Sequence, residues 1–445
     1  MSNFDLTSEK VLHHIVIVGG GAGGLELATQ LGNSLGKSNK AKISLVDQKL
    51  THIWKPLLHE IAAGSLNPSN EETNYFAHAA KHHYEFILGR LDQVHPTEKS
   101  LTLSTTHSSK SHSSKNQSSN TQSSDQFQIQ YDTLILAVGS VSNDFNTEGV
   151  KEYCHFLDTP DQAQIFHQEL LHLYLDAQNQ ADERELNIGI IGAGATGVEL
   201  AGELIQAKEK FYSYGLNKIN PEKVKISLIE GADRILPALS NAIAEHSLKQ
   251  LQDMQVEVLT QKRVEKVDAE FIYFNDGSKI HSSLKVWAAG IKTPPIIQAL
   301  EGFEKDRMGR LHVYATLQTK SDPNIFAFGD CAYCILDARE AALGPRAQVA
   351  SQQASFLAEA MKDRIAERQL PMFNFSEKGS LVSLSENKAV GELLGQVNVQ
   401  GMLAKSMYVS LYRLHQATIY GYVQAGLLTA KDFVTRKIVP KIKLH

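Results

Sequence analysis

The chain has 445 residues, enough for two or three domains with ample cores. Its 42% apolar and 21% charged content is ordinary for a globular protein, and a net charge of −5 excludes nucleic-acid binding by bulk electrostatics. Three cysteines are too few for a disulfide framework, the opening MSNFDLTSEK lacks the regions of a signal peptide, and no run of about 18 apolar residues occurs, so a reducing, cytoplasmic setting without spanning helices is expected.

In chain order, HHIVIV at 13–18 reads as a short buried parallel strand. Closely spaced glycines follow, then the helical LELATQLGNSLG, then a second strand, AKISLVD, ending at Asp47. This is a βαβ unit. Residues 104–124 hold ten serines and no apolar side chain, and lie between the strand-like KSLTLS and FQIQYDTLILAVGS. Such a stretch cannot bury enough surface to offset its ordering entropy, so it reads as a disordered insertion in a hairpin loop. From 188 the phrase IGIIGAGATGVELA repeats IVIVGGGAGGLELA of 15–28, and KVKISLIE then ends at Glu230. The two copies are a domain-sized step apart, not a solenoid period. YDTLILAVGS at 131–140 and LKVWAAGIKTP at 284–294 are each a strand entering a small-residue turn. At NIFAFGDCA the chain returns to the first domain, PRAQVASQQASFLAEAM reads as a helix, and the end opens with the strand-like GSLVSLS and closes in helices. The expected domains are 1–150 and 291–370 for the first dinucleotide fold, 151–290 for the second, and 371–445 for a C-terminal region.

A GxGxxG turn serves phosphates. Its first glycine permits the tight turn, the second lets the backbone approach a pyrophosphate, and the third lets the helix pack close. The helix N-terminus adds free N–H groups and a positive dipole end, and the acid at the next strand end binds ribose hydroxyls. Both copies have all these parts. Two dinucleotide sites in one chain point to a flavin paired with a nicotinamide, which permits hydride transfer between them. Asp330, after the short strand NIFAF, is placed to accept from a ribityl hydroxyl.

These motifs resemble the two-dinucleotide-binding flavoproteins of the glutathione-reductase type. HIWKPLLHE (52–60), GATGVEL (194–200), RILPAL (234–239), AQVASQ (347–352) and GSLVSLS (379–385), with the basic C-terminus, are similar to type II NADH dehydrogenase, a family of monotopic NADH:quinone oxidoreductases. The resemblance implies an α/β fold of two Rossmann-like domains plus an amphipathic helical membrane-anchoring region. It implies FAD at the first turn (Gly19, Gly20, Gly21, Ala22, Gly23, Gly24) with Asp47, Lys55, Gly329, Asp330, Ala347 and Ala350. It implies NADH at the second (Gly192, Gly194, Thr196, Gly197) with Glu230, Ala289 and Gly290. Glu230 would repel a 2′-phosphate and so favours NADH over NADPH, although Arg234 follows close by.

Glu199 is expected in the first helical turn, facing the nicotinamide; Glu26 holds the same place in the first copy. Gln348 and Gln352, spaced i, i+4, share a helix face and would meet flavin and quinone, and Lys378 matches a lysine near the flavin. Two features are discounted. Cys331 and Cys334 form a CxxC at the phosphate end of FAD, where a redox disulfide is of no use, so they read as packed thiols. His78 and His82, one turn apart with no third ligand, read as a solvated helix face, and no metal site is expected.

Between 401 and 445 there are seven bases and one acid, a net charge of +6, against −11 for the remaining 400 residues. Phe433, Val434, Ile438 and Ile442 would face one way and the bases elsewhere, with Pro440 ending any helix. Such a tail lies in a membrane interface and binds anionic lipid. The expected partners are a membrane quinone, an anionic lipid surface and a second copy in a homodimer, at the cytoplasmic face of the inner membrane, with electron transfer but no proton pumping. The alternatives are sulfide:quinone or other thiol chemistry, which needs a flavin-facing cysteine, and a non-enzymatic redox-sensing flavoprotein.

Overall fold

The computed structural model describes residues 11–105, 125–180, 186–216, 221–336, 341–385, 388–393 and 397–435. Its first half runs β1 (His13–Val18), α1 (Ala22–Leu31), β2 (Ala41–Asp47), α2 (Leu58–Ala63), α3 (Tyr75–Lys81), β3 (Glu85–Leu88), β4 (Ser100–Ser104), β5 (Gln126–Gln130), β6 (Thr133–Leu136) and α4 (Pro160–Gln180). The second half runs β7 (Leu186–Ile191), α5 (Ala195–Ser213), β8 (Val224–Ile229), β9 (Glu257–Leu259), β10 (Leu284–Trp287), β11 (Ile325–Ala327), α6 (Ala347–Ile365), β12 (Gly379–Ser383), β13 (Ala389–Leu393), β14 (Val397–Gln400), α7 (Gly401–Tyr420) and α8 (Tyr422–Thr435).

The chain divides into two compact units. The first comprises 1–52, 73–140 and 293–375. Its centre is a five-stranded sheet in the order β11-β6-β1-β2-β3, parallel throughout. Ile15, Val16, Ile17 and Val18 are all buried, so both faces of the sheet are covered at β1, which is why β1 reads as a continuous apolar run. Helix α6 packs on α1. FQIQYDTLILAVGS, one strand-like stretch in sequence, is two strands: β5 joins β4 in an antiparallel hairpin, and after Tyr131–Asp132 β6 enters the parallel sheet. Ser104 pairs with Gln126 at the hairpin end, and the Thr105 N–H donates to the Asp125 carbonyl at 3.0 Å. The serine-rich stretch from 106 to 124 lies outside the described residues.

The second unit comprises 53–72, 141–292 and 376–445. Its sheet, β9-β8-β7-β10, is again parallel and repeats the first register: β7 pairs with β8 as β1 pairs with β2. One core joins α2, α4, α5 and the sheet, with Phe166, Leu200, Phe211 and Leu228 buried within it. The C-terminal part is more than one strand and helices. GSLVSLS forms β12, and two further strands complete an antiparallel sheet, β12-β13-β14. A side chain at Gly202 of α5 would run into the Leu384 carbonyl, so this sheet lies tight against the second dinucleotide helix. Helix α7 then packs on β12 and β13, and α8 on α7.

Candidate functional site

In the first unit the glycine turn is fixed by crowding. Gly19 has φ +106°, a conformation open to glycine at little cost. A side chain at Gly24 would strike the Gly19 carbonyl, one at Gly20 the Tyr75 ring, and one at Gly23 the Phe328 ring. A side chain at Gly21 would meet nothing within 4 Å, so the middle of the turn presents bare backbone at the start of α1, where Ala22 is the first helical residue. A cradle that only glycine can line, open at its centre and capped by a helix N-terminus, fits a pyrophosphate. At the end of β2, Asp47 accepts the Gly20 N–H on Oδ2 at 2.6 Å and the Lys49 N–H on Oδ1 at 2.8 Å. Burial pushes its carboxyl up against these donors.

Beyond β11, Gly329 has φ +69° and Asp330 accepts the Ser140 hydroxyl at 2.7 Å. Ala350 of α6 packs close to both Gly23 and Gly329, so the turn, the Gly-Asp corner and α6 come together. Gln348 and Gln352 lie half-buried in the first turns of α6, and Ala347, its first residue, is exposed. The polar contact that holds the corner comes from Gln353, buried one step further round, whose Oε1 accepts the Gly329 N–H at 2.8 Å. The i, i+4 spacing picks a face but cannot show that the adjacent residue carries the structural bond. Tyr75 and His52 were also not foreseen: the Tyr75 hydroxyl donates to the Gly20 carbonyl at 2.6 Å, and His52 Nδ1 lies 3.0 Å from the same oxygen. These contacts join distant parts of the chain and leave no local pattern.

The second turn repeats the first. Gly192 has φ +106°, a side chain at Gly197 would strike the Gly192 carbonyl, and Gly194 is open as Gly21 is. Thr196 is exposed in the first turn of α5. Glu230, just past β8, accepts the Ala193 N–H on Oε2 and the Ala232 N–H on Oε1, each at 2.9 Å. Arg234 donates to the carbonyls of Leu239 and Pro237, each at 3.0 Å, so its guanidinium is tied into its own loop and does not pair with Glu230. After β10, Ala289 accepts from Trp287 Nε1 at 3.0 Å, and Gly290 has φ +66°.

Two expectations need correction. Glu199 is not in the first turn: α5 starts at Ala195, so Glu199 is its fifth residue and points into the unit. It is buried, its Oε1 accepts the Ser383 N–H at 3.2 Å, and its Oε2 lies 3.6 Å from His59 Nδ1. Burial pushes its carboxyl up to about 8, against the Ser383 N–H, so at neutral pH it carries a proton. Glu26 is buried in the matching place and accepts the Ser351 hydroxyl at 2.6 Å. Lys55 pairs with Asp158 at 3.2 Å, and Lys378 stands directly before β12. Finally, the His78 and His82 face of α3 is buried, not solvated. The rings stack at 4.2 Å, His78 bonding Tyr84 and His82 bonding Asn33, because α3 turns this face against the sheet edge. Among the described residues no cluster of His, Cys, Asp or Glu could hold a metal ion.

Cys331 and Cys334 are buried free thiols, and burial pushes Cys331 up to about 12 and Cys334 up to about 11. Cys331 Sγ faces the carbonyls of Leu136 and Phe328. Cys154 is likewise buried and raised to about 12. A thiol that cannot ionise is a poor nucleophile.

Residues 13–354 match the pyridine nucleotide-disulphide oxidoreductase family. The chain is similar to a type II NADH:quinone oxidoreductase of Haemophilus influenzae, at 38% identity over 98% of this chain and 100% of the relative. It is also similar to one from Mycobacterium tuberculosis, at 27% identity over 92% of this chain and 84% of that protein. Its fold matches that of Plasmodium falciparum NDH2, solved in complex with NADH, with a TM-score of 0.81 at 20% identity over 97% of this chain and all of that one. A sulfide:quinone oxidoreductase from Aquifex aeolicus shares the fold at a TM-score of 0.71 and 16% identity over 96% of each chain.

Proposed function

Because the chain belongs to the type II NADH:quinone oxidoreductases within the pyridine nucleotide-disulphide oxidoreductase family, we propose that it works as a non-pumping enzyme lying on one leaflet of a membrane. It is an FAD-dependent NADH:quinone oxidoreductase. The observation that carries the reading is the doubled glycine turn, each copy backed by a carboxylate and left bare at its centre. When bound, FAD accepts a hydride from NADH and passes two electrons to a quinone.

The chain's own residues bind and orient. Gly19 to Gly24 and the start of α1 hold the FAD pyrophosphate, Asp47 its ribose, and Asp330, braced by Ser140, its ribityl chain. Gly192, Gly194, Thr196 and Gly197 hold the NADH pyrophosphate and Glu230 its adenine ribose, with Ala289 and Gly290 lining the way to the nicotinamide. Glu199 offers the nicotinamide side a neutral carboxyl. Gln348 and Gln352 give amide donors to a quinone carbonyl without adding charge, close to where Ala347 and Ala350 let α6 approach the flavin. Lys55 contacts the flavin, and Lys378 stands near it.

Attachment to the membrane is supported by exposed Met402, Leu403 and Leu414 on α7 and Tyr422, Val423 and Leu427 on α8. Among the described residues no helix is long and apolar enough to cross a membrane. The bases beyond 435, with Ile438, Pro440 and Ile442, lie outside the described residues. The orientation is to the cytoplasmic face of the inner membrane, against anionic lipid and as a homodimer. The thiol-linked alternative lacks an ionisable cysteine; replacing Cys154, Cys331 and Cys334 together by Ser leaves quinone turnover intact on this reading.

The test is anaerobic addition of NADH to the purified yellow protein, then steady-state NADH oxidation with a short-chain quinone and an NADPH control. Bleaching by NADH, quinone-dependent turnover and weak use of NADPH are expected. A flavin that NADH leaves oxidised would end the proposal.

A further inference from the structure

The two glycine turns share a contact that their sequences do not. In the first, Gly20 is held at both ends. Its N–H donates to Asp47, and its carbonyl receives the Tyr75 hydroxyl at 2.6 Å, with His52 Nδ1 3.0 Å from the same oxygen. In the second, Ala193 stands at the matching place. Its N–H donates to Glu230, and its carbonyl accepts the Leu236 N–H at 2.8 Å. One brace is a side chain from α3, and the other is backbone from the loop RILPAL. This also accounts for the residue at each place: a side chain at Gly20 would strike the Tyr75 hydroxyl, whereas a backbone brace leaves Ala193 room for its buried methyl group.

A trans peptide is planar, so the carbonyl of one residue and the N–H of the next point in opposite directions. Holding the Gly20 carbonyl therefore turns the Gly21 N–H the other way, and holding that of Ala193 does the same for Gly194. Among the described residues neither N–H has a hydrogen-bond partner, and a side chain at Gly21 or Gly194 would meet nothing within 4 Å. Each glycine caps the start of its helix, α1 or α5, where a free N–H faces an anion well. The second brace is a strained one. Leu236 has φ +48°, uncommon for a residue that carries a side chain. It persists because its loop is over-determined: Leu236 is buried, its carbonyl accepts the Leu239 N–H at 2.9 Å, and Arg234 donates to the carbonyls of Pro237 and Leu239.

We propose that Tyr75 in the first turn, and Leu236 with Arg234 in the second, are positioning residues for the two pyrophosphates: each brace fixes one carbonyl so that the N–H of Gly21 or Gly194 is aimed at a phosphate oxygen before the dinucleotide arrives. This deepens the reading that the first turn holds FAD and the second NADH, and rests on it. Arg234 then acts on coenzyme affinity through the pyrophosphate and not through a 2′-phosphate. A donor held in place in advance gains affinity because no ordering is left for the moment of binding.

The test uses the FAD-loaded full chain and needs no quinone. Tyr75→Phe keeps the ring and removes the donated hydrogen. It is expected to release flavin about tenfold faster on dilution and to leave ADP-ribose binding unchanged. Arg234→Gln frees the second loop. It is expected to weaken ADP-ribose about tenfold in calorimetric titration, while adenosine, which lacks the pyrophosphate, competes as before and flavin is retained. Arg234→Lys keeps the charge without the planar fork, so it should behave as Arg234→Gln does, and it supplies the answer should the Gln variant misfold. Adenosine and ADP-ribose weakened alike, or neither weakened, would overturn the role of the second loop, as would a loss confined to 2′-phospho-ADP-ribose. Flavin release unchanged in Tyr75→Phe would overturn the role of the first brace. Unsubstituted protein that binds no ADP-ribose would instead sink the reading beneath the proposal, a result distinct from any difference between variants.

Discussion

At the scale of single residues, the carboxylates were the most legible feature. Asp47 and Glu230 each close a β-strand after a glycine turn, and the structure shows each accepting two backbone N–H groups there. Glu230→Gln keeps the shape and removes the charge, so the preference for NADH over NADPH should narrow by roughly tenfold, read as the ratio of kcat/KM values; an ion pair's worth of repulsion at an exposed ribose is of that order. Gly197→Ala forces a methyl group into the Gly192 carbonyl, and Gly24→Ala does the same at Gly19. Overpacking of this kind costs about 1–3 kcal/mol or more. The first variant should stay yellow but resist bleaching by NADH, whereas the second should be purified without flavin. Less legible was the face on which Glu199 points, because one residue of difference in where α5 begins turns a side chain by 100°. His59 was not foreseen for a related reason: its environment is made by α5 and α7, far along the chain. It takes up a proton near 6.5 when unfolded but only near about 3 when folded. The unfolded chain therefore binds the extra proton between those values, so this contribution is present above 6.5 and is lost as pH falls towards about 3. His59→Gln should flatten that loss, measured as the urea midpoint against pH. Glu199 has the opposite sign: its raised carboxyl makes stability fall as pH rises from 4.5 to about 8.

At the scale of elements, the βαβ units were readable nearly to the residue, since a fully buried parallel strand is a continuous apolar run flanked by glycine. β1 and β2 coincide with HHIVIV and AKISLVD. The C-terminal sheet was not readable beyond its first strand. ENKAVGELLGQVNVQ mixes glycine, amides and aliphatics without strict alternation, and β13 and β14 owe their form to pairing with β12 and to α7 lying across them. This alters how the tail is best tested. Removing 401–445 would uncover β12 and β13 and take α7 away with the membrane surface. Ending the chain after Tyr420 instead spares α7 and removes α8. That protein should keep its flavin and its NADH-to-ferricyanide activity while losing most of its binding to anionic vesicles, assayed by co-sedimentation. Binding that survives the shorter truncation would move the attachment onto α7 itself.

At the scale of the whole molecule, fold class and chemistry followed from duplication: two copies of one phosphate-binding unit imply two dinucleotides. What duplication cannot reveal is how the chain is shared out. It crosses between the two units five times, and each unit is assembled from three separated segments. The basic C-terminus against an acidic remainder predicts vesicle binding that weakens as ionic strength rises, with the Debye length near 10 Å at about 0.1 M salt; binding indifferent to salt would assign attachment to the apolar side chains alone. The interleaving also bears on synthesis. Strands β1, β2 and β6 leave the ribosome early, yet the edge strand β11 and the helix that covers α1 are encoded some 200 to 350 residues downstream. The first unit cannot close until its third segment, ending at 375, has been made, and the second waits for the chain's last segment, so the polypeptide travels with unfinished sheet edges through most of its synthesis, and slowing translation before that point should be felt as aggregation and not as a misassembled active enzyme.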